Sequence, residues 1–369
     1  MARNKTGEDA TDKSARRLTP RLIPRLAPRL TPRLGPRTTQ PEDPWLRQPI
    51  EGRYQVSRLV AEGSVTRVYA GQDLELGEPV AIKRFVAPEM NARFLLRFRG
   101  VASRAAQVQH PRIVRTLDYA LIDPDAMVVM EWMSTPTLAA HLRARVRLPA
   151  AVGARVALWL AGALAAIHQA GALHLGLHPR NVFLDRRVGV RIADVGLARV
   201  VADTGVTTTG SNLVSVLPFL APEQLGYGAL TPATDIYAFG VLMYQALTGE
   251  LPFPQPTLAN LATAQTRWAR LPTPRPGLLA PGLPTALDET IAHCLANDPQ
   301  QRPADGAALL ERLRATPLAS LADPQTVTTY MARATREHRA LSTKFPLLRR
   351  RQHATISATA PHTRAQVNT

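Results

Sequence analysis

The sequence predicts an α+β fold in two lobes, a small β-rich lobe followed by a larger helical one. Three observations lead there. Between residues 54 and 132, short runs of β-formers recur with only one helical stretch among them. After Met133 the apolar positions fall at helical spacing over long stretches. The two textures meet once, so strands and helices are segregated rather than alternating.

Taken in order, 54–60, 66–70 and 79–84 read as strands, 93–109 as a helix, and 112–120 and 126–132 as two more strands. The second lobe reads as helices over 137–144, 150–169, 234–248, 258–270 and 285–296. The folded domain is therefore expected over 51–315, with an N-lobe at 51–132 and a C-lobe at 133–315.

The net charge of +17 sits mostly outside that domain. Residues 1–50 hold 11 Lys/Arg against 5 Asp/Glu, and 316–369 hold 8 against 2. Residues 18–37 repeat Leu-x-Pro-Arg five times, from Leu18 to Arg37. Proline at every fourth position lacks a donor and blocks an α-helix, so 1–50 is expected to be a disordered, extended basic arm. It serves as a spacer or as a docking arm for an acidic surface. No aromatic residues interleave the arginines for base stacking, which argues against nucleic acid. Segment 316–369 is expected to be a mostly disordered basic tail, with at most a short helix over 326–341 and a cationic run at Arg349, Arg350 and Arg351.

One cysteine, Cys294, excludes an internal disulfide and a cysteine-based zinc site; its apolar surroundings predict a buried thiol. The longest apolar run, 156–167, falls short of the ~20 residues of a membrane helix. With no secretory signal visible, a soluble cytoplasmic protein is expected.

A set of short motifs stands in a telling order. They are Val80-Ala81-Ile82-Lys83; His110-Pro111-Arg112-Ile113-Val114; Met130-Glu131-Trp132-Met133; and His174 to Phe183, reading H-L-G-L-H-P-R-N-V-F. Asp194-Val195-Gly196, Ala221-Pro222-Glu223, Asp235 to Gly240 and Asp298 to Pro303 complete the set. In that order and spacing the chain resembles the bacterial Hanks-type Ser/Thr protein kinases over about 54–313. The resemblance implies a two-lobed protein-kinase fold. It also implies a structural pairing of Glu223 with Arg302, and a bracing role for Asp235.

The same resemblance implies a nucleotide site in which several parts have changed. In the phosphate loop only Gly63 keeps its glycine; Ala61 and Thr66 replace the others, and Glu62 adds a negative charge near the phosphates. Val68 and Ala81 would sandwich an adenine, Met130, Glu131 and Met133 would form the hinge, Phe183 would lie in the ATP pocket, and Lys83 would reach the phosphates. The acid that normally pairs with that lysine falls at Val101, and 91–109 holds Arg93, Arg97, Arg99 and Arg104 but no acid.

The catalytic base position is Gly176. The preceding arginine is Leu175, the loop lysine is His178, and the bridging threonine is Val216. Val195 and Ala105 thin the packed column that joins the lobes. Asn181 and Asp194 remain where Mg²⁺ would be held, or else they brace the loop and pair with Lys83. A degenerate member, a pseudokinase, is expected: a module able to bind ATP and Mg²⁺ and to regulate or scaffold a protein partner. The alternative is a kinase with slow or unorthodox transfer, with His178 as a substitute base. Thr207, Thr208 and Thr209 are candidate phosphosites in the activation segment.

Overall fold

The structure, a computed structural model, describes residues 43–344 apart from 47, 64, 87–91, 123–124, 144–146, 203–215, 226–227, 322 and parts of 255–270. The Leu-x-Pro-Arg repeat, Thr207 to Thr209, Arg349 to Arg351 and most of the helix expected over 258–270 lie outside the described residues.

Five antiparallel strands form the N-lobe sheet: β1 (Tyr54–Glu62), β2 (Thr66–Asp73), β3 (Pro79–Phe85), β4 (Thr116–Ile122) and β5 (Asp125–Glu131), in the order β1-β2-β3-β5-β4. β4 starts later than its sequence suggests. Ile113 instead bridges Ile192, and the Arg112 carbonyl accepts from Ile192 N, so this segment is drawn towards the C-lobe. Helix α1 (Ala92–Gln107) buries Phe94, Phe98, Ala102 and Ala105. The Phe98 ring meets Phe85 edge-on at 5.6 Å and stacks on Phe94 at 6.1 Å.

The C-lobe holds α2 (Leu138–Arg143), α3 (Ala150–Gln169), a two-stranded ribbon of β6 (Val182–Asp185) and β7 (Gly189–Ile192), and α4 (Leu197–Ala202). It continues through α5 (Pro222–Leu225), α6 (Pro232–Thr248), α7 (Thr285–Cys294), α8 (Gly306–Arg314) and α9 (Pro324–Lys344). The bounds of α6 follow from its ends. Pro232 opens it, Thr231 N donates to Thr234 Oγ1 at 3.1 Å, and Gly249 closes it at φ 83°. Cys294 is buried, which pushes its thiol up to about 12.

α3 corrects one expectation. Its 20 residues, with hydropathy 1.8 over the best window, meet the length and composition of a membrane span. Two thirds of that window is nevertheless buried inside the protein, against α6 and α8.

Both domain boundaries also move outward. Asp43 accepts from Tyr69 Oη and from Arg84 Nη1. Trp45 stacks on Tyr69 at 5.8 Å and under Arg84 at 4.6 Å. The N-lobe therefore includes Asp43 and Trp45, ahead of the expected start at 51. At the other end, 316–344 is no tail: Leu318, Val327, Met331 and Ala334 are buried in the C-lobe core. Residues 327, 331 and 334 form one apolar helical stripe, a pattern that the Thr- and Arg-rich composition obscured.

Candidate active site

The site rests on a buried carboxylate. Asp235 on α6 accepts from His174 N and Leu175 N, each at 2.7 Å, and from His168 Nε2 at 3.0 Å. His168 Nδ1 is occupied by the N–H of Gly306, so the proton of a neutral ring lies on Nε2 and donates to Asp235. These bonds hold Leu175 in the left-handed region, at φ 56°. Such a conformation costs about 1–3 kcal/mol in a non-glycine residue and persists only where its surroundings impose it. A second brace lies nearby. Arg302 meets Glu223 through two bonds of 2.8 and 3.1 Å and stacks over Tyr237. Gln224 then links the two regions by donating to the Leu175 carbonyl and accepting from Ala221 N.

On this braced loop Gly176 presents no side chain. Its carbonyl accepts from Asn181 Nδ2 at 2.9 Å. That bond fixes the amide of Asn181 and leaves Oδ1 without a hydrogen bond among the described residues. A Cβ placed on Gly176 would stand 3.0 Å from the Cβ of Ala198 on α4. A side chain at 176 would therefore meet α4.

Lys83 Nζ meets Asp194 Oδ2 at 2.8 Å. Burial pushes the Asp194 carboxyl up, but the Lys83 charge and hydrogen bond outweigh it and hold the group below the usual carboxylate range. Asp194 itself sits at φ 68°. Where an acid would reach for Lys83, Val101 packs instead over Gly196; a Cβ on that glycine would lie 2.9 Å from Val101 Cγ1. Leu197 and Val200 of α4 are buried in the same cluster as Phe94, Phe98 and Ala102 of α1. The acid-free face of α1 and the side-chain-free loop position therefore hold one helix between them. Val195 and Ala105 are both buried, inside the C-lobe cluster.

The apolar wall of the cleft is assembled from both lobes. Ala81, Met130, Met133 and Phe183 fall in one cluster, and Val68 sits opposite Lys83 across the β2–β3 pairing. Gly63 lies in the β1–β2 hairpin, its N–H donating to Thr66 O at 2.7 Å. Glu62 does not present a bare charge to the cleft, because Arg67 pairs with it at 2.8 Å. The Glu131 side chain is also engaged. Arg191 on β7 grips both its oxygens at 2.6 and 2.7 Å and donates to the Ile113 carbonyl. Burial pushes the Glu131 carboxyl up, and the Arg191 bond and charge bring it below its ordinary value. Glu131 can therefore offer a ligand only its backbone. Sequence reasoning missed Arg191, Gln224 and α4, since no motif marks them.

His178 is half-buried, 6.2 Å from the Phe219 ring. Burial is the main cause of its pKa falling to about 3, with Asp194 opposing. The ring is neutral, and its Nδ1 accepts from Arg180 N at 3.2 Å. The remaining nitrogen then carries the proton, so His178 is a hydrogen-bond donor and not a free base. Val216 precedes a 3₁₀ turn at Leu217–Phe219 and brings no hydroxyl.

Asn181 and Asp194 suit a magnesium–nucleotide site. Ala193 N donates to Asn181 O at 2.9 Å, which ties the two segments together. Each side chain offers an oxygen, and Mg²⁺ favours few protein oxygens completed by phosphates and water. No group of three or more His, Cys, Asp or Glu side chains able to hold a metal alone occurs among the described residues.

The five-stranded lobe, the helical lobe and a lysine–aspartate pair in the cleft between them define a protein kinase architecture. The protein kinase domain family matches residues 54–313, and the chain belongs to it. Within that family its relatives are bacterial Ser/Thr kinases. It is 33% identical over 273 residues to the serine/threonine-protein kinase PknL of Mycobacterium tuberculosis, covering 72% of this chain and 66% of that protein. It is 32% identical over 255 residues to PrkC of Bacillus subtilis, covering 69% of this chain and 39% of the relative. To Pkn1 of Myxococcus xanthus it is 34% identical over 273 residues, covering 71% and 38%. The chain thus spans from just under two thirds to about two fifths of the length of these relatives.

Proposed function

We propose that this chain is a pseudokinase: a kinase-shaped module that binds ATP with Mg²⁺ and regulates or scaffolds a protein partner without efficient phosphoryl transfer. One observation carries the reading. The position that would accept the proton of an incoming hydroxyl in this family is Gly176, which has no side chain, and a Cβ there would stand 3.0 Å from the Cβ of Ala198 on α4. A positioned base contributes roughly 10²–10⁴ in rate. Ala198 of α4 stands beside that position, so a side chain at 176 would have to press against it.

Nucleotide binding is supported by Lys83, Asn181 and Asp194 together with the apolar wall from Ala81 to Phe183. Lys83 and the Gly63 hairpin would face the phosphates, and the Asn181 and Asp194 oxygens would hold the metal, which neutralises phosphate charge when bound. The second reading, slow transfer to Ser or Thr, is favoured by this retained set and by relatives named as kinases. His178 does not help it as a base, because its acceptor nitrogen is already used.

Two measurements on the full chain test the proposal. Mg²⁺ with ATP should raise thermal stability, by about 2–4 kcal/mol at saturation, and ATP with a chelator should raise it less. Labelled phosphate should not reach generic protein substrates. Transfer at about 1 s⁻¹ or faster, the normal range for such enzymes, would establish the kinase reading instead.

A further inference from the structure

Helix α9 lies outside the segment matched to the kinase family, yet it packs on β6, β7, α2 and α3. We propose that Tyr330 on α9 is a positioning residue for the nucleotide site, acting through His141 on the strand that carries Phe183. The inference rests on the nucleotide-binding reading above.

The path is short and made of direct contacts. Tyr330 Oη and His141 Nε2 are 3.0 Å apart, and the two rings meet edge-on at 5.8 Å. His141 is on α2, whose entry is stitched to β6. Leu184 N donates to Pro136 O at 2.9 Å, and Thr137 bridges Phe183. Thr137 also accepts at its carbonyl from His141 N and at Oγ1 from Ala140 N, which makes α2 a rigid link between the two ends. Phe183 is half-buried in the cleft cluster with Ala81, Met130 and Met133. Burial depresses the His141 pKa, with Glu337 opposing, and raises that of the Tyr330 phenol, so the bond joins two neutral groups.

α9 makes a polar contact besides its apolar ones. Val327, Met331 and Ala334 are buried in the C-lobe core and hold the helix down. Tyr330 lies about a quarter-turn from Met331; its ring is half-buried against the same core, and its hydroxyl reaches His141 on α2. Its removal should therefore leave α9 docked while it loosens the entry to α2.

The test compares the full chain with Tyr330→Phe, Tyr330→Ala and the exposed control Thr329→Ala. Two quantities are read well below the melting temperature: the dissociation constant for Mg²⁺-ATP and amide exchange at 182–185. Tyr330→Phe should weaken nucleotide binding about two- to tenfold, the worth of one hydrogen bond, and Tyr330→Ala should weaken it further. Exchange at 182–185 should quicken in the same order, and Thr329→Ala should change neither. A lower melting temperature with unchanged affinity and unchanged exchange would overturn the proposal and leave Tyr330 as packing only. If the parent chain binds no nucleotide, the nucleotide reading falls, and exchange at 182–185 alone decides whether Tyr330 positions β6.

Discussion

Two regions of the C-lobe lie side by side and have fared differently. The pillar beneath the catalytic loop is complete: Asp235 takes three donors, and Glu223 and Arg302 close on each other through two bonds. The surface above it carries Gly176, His178 and Val216, which bring no acid, no lysine and no hydroxyl. The contrast teaches that the loop's shape and its chemistry are set by different residues. Backbone N–H groups bonded to Asp235 fix the strained turn whatever side chain stands at 176. The loop's geometry therefore does not depend on a side chain at 176.

The largest effect should come from the pillar. Asp235→Ala strands two buried backbone donors and a buried histidine N–H, and should cost about 3–5 kcal/mol in chemical denaturation. A loss below about 1 kcal/mol would mean that the loop is held from elsewhere. Next comes Asp194→Ala, which removes the partner of Lys83 and a metal oxygen. It should abolish the ~2–4 kcal/mol stabilisation by Mg²⁺-ATP, as read by thermal shift.

Gly176→Asp should be smaller and instructive. The Cβ contact of 3.0 Å with Ala198 forces an adjustment, so stability should fall by about 1–3 kcal/mol. Transfer should not appear, since Val101 still leaves Lys83 on Asp194. Recovery of transfer by this change alone would break the comparison, because one side chain would then account for the whole difference.

The smallest effect concerns His178. Its folded pKa of about 3 lies below its ordinary 6.5. Protonation therefore favours the unfolded chain. Its contribution to stability is complete above 6.5 and erodes as pH falls from there towards 3. His178→Gln should flatten the fall in urea midpoint between pH 7 and 5 relative to the parent. Equal slopes would show a ring solvated enough to titrate normally.

Much of the fold was legible because its signals are local. Runs of β-formers marked the N-lobe strands, and helical spacing marked most of α6, read over 234–248 against Pro232–Thr248. Gly176 and His178 fall inside a motif, and Val101 and Val216 are reached only by counting from one. What replaced the missing groups was not legible. That Val101 would rest on Gly196, or Ala198 on Gly176, depends on how a six-residue helix docks between lobes, and nothing within Leu197–Ala202 records its neighbours. The Arg191–Glu131 clamp joins residues 60 positions apart, and no motif marks Arg191. The outer boundaries failed for a compositional reason: Trp45 and the Val327–Met331–Ala334 stripe are sparse apolar marks inside basic, polar sequence.

α3 shows how far composition depends on company. Lifted from its surroundings, this helix would partition into lipid as readily as many true spans. A jacket of protein covers it, with Gly306 of α8 so near the helix that a Cβ there would fall 2.2 Å from Ala165 N. Any truncation that strips away α8 would turn the greasiest part of the chain outward. Shortened versions ending before residue 306 should accordingly be found in the pellet or on detergent.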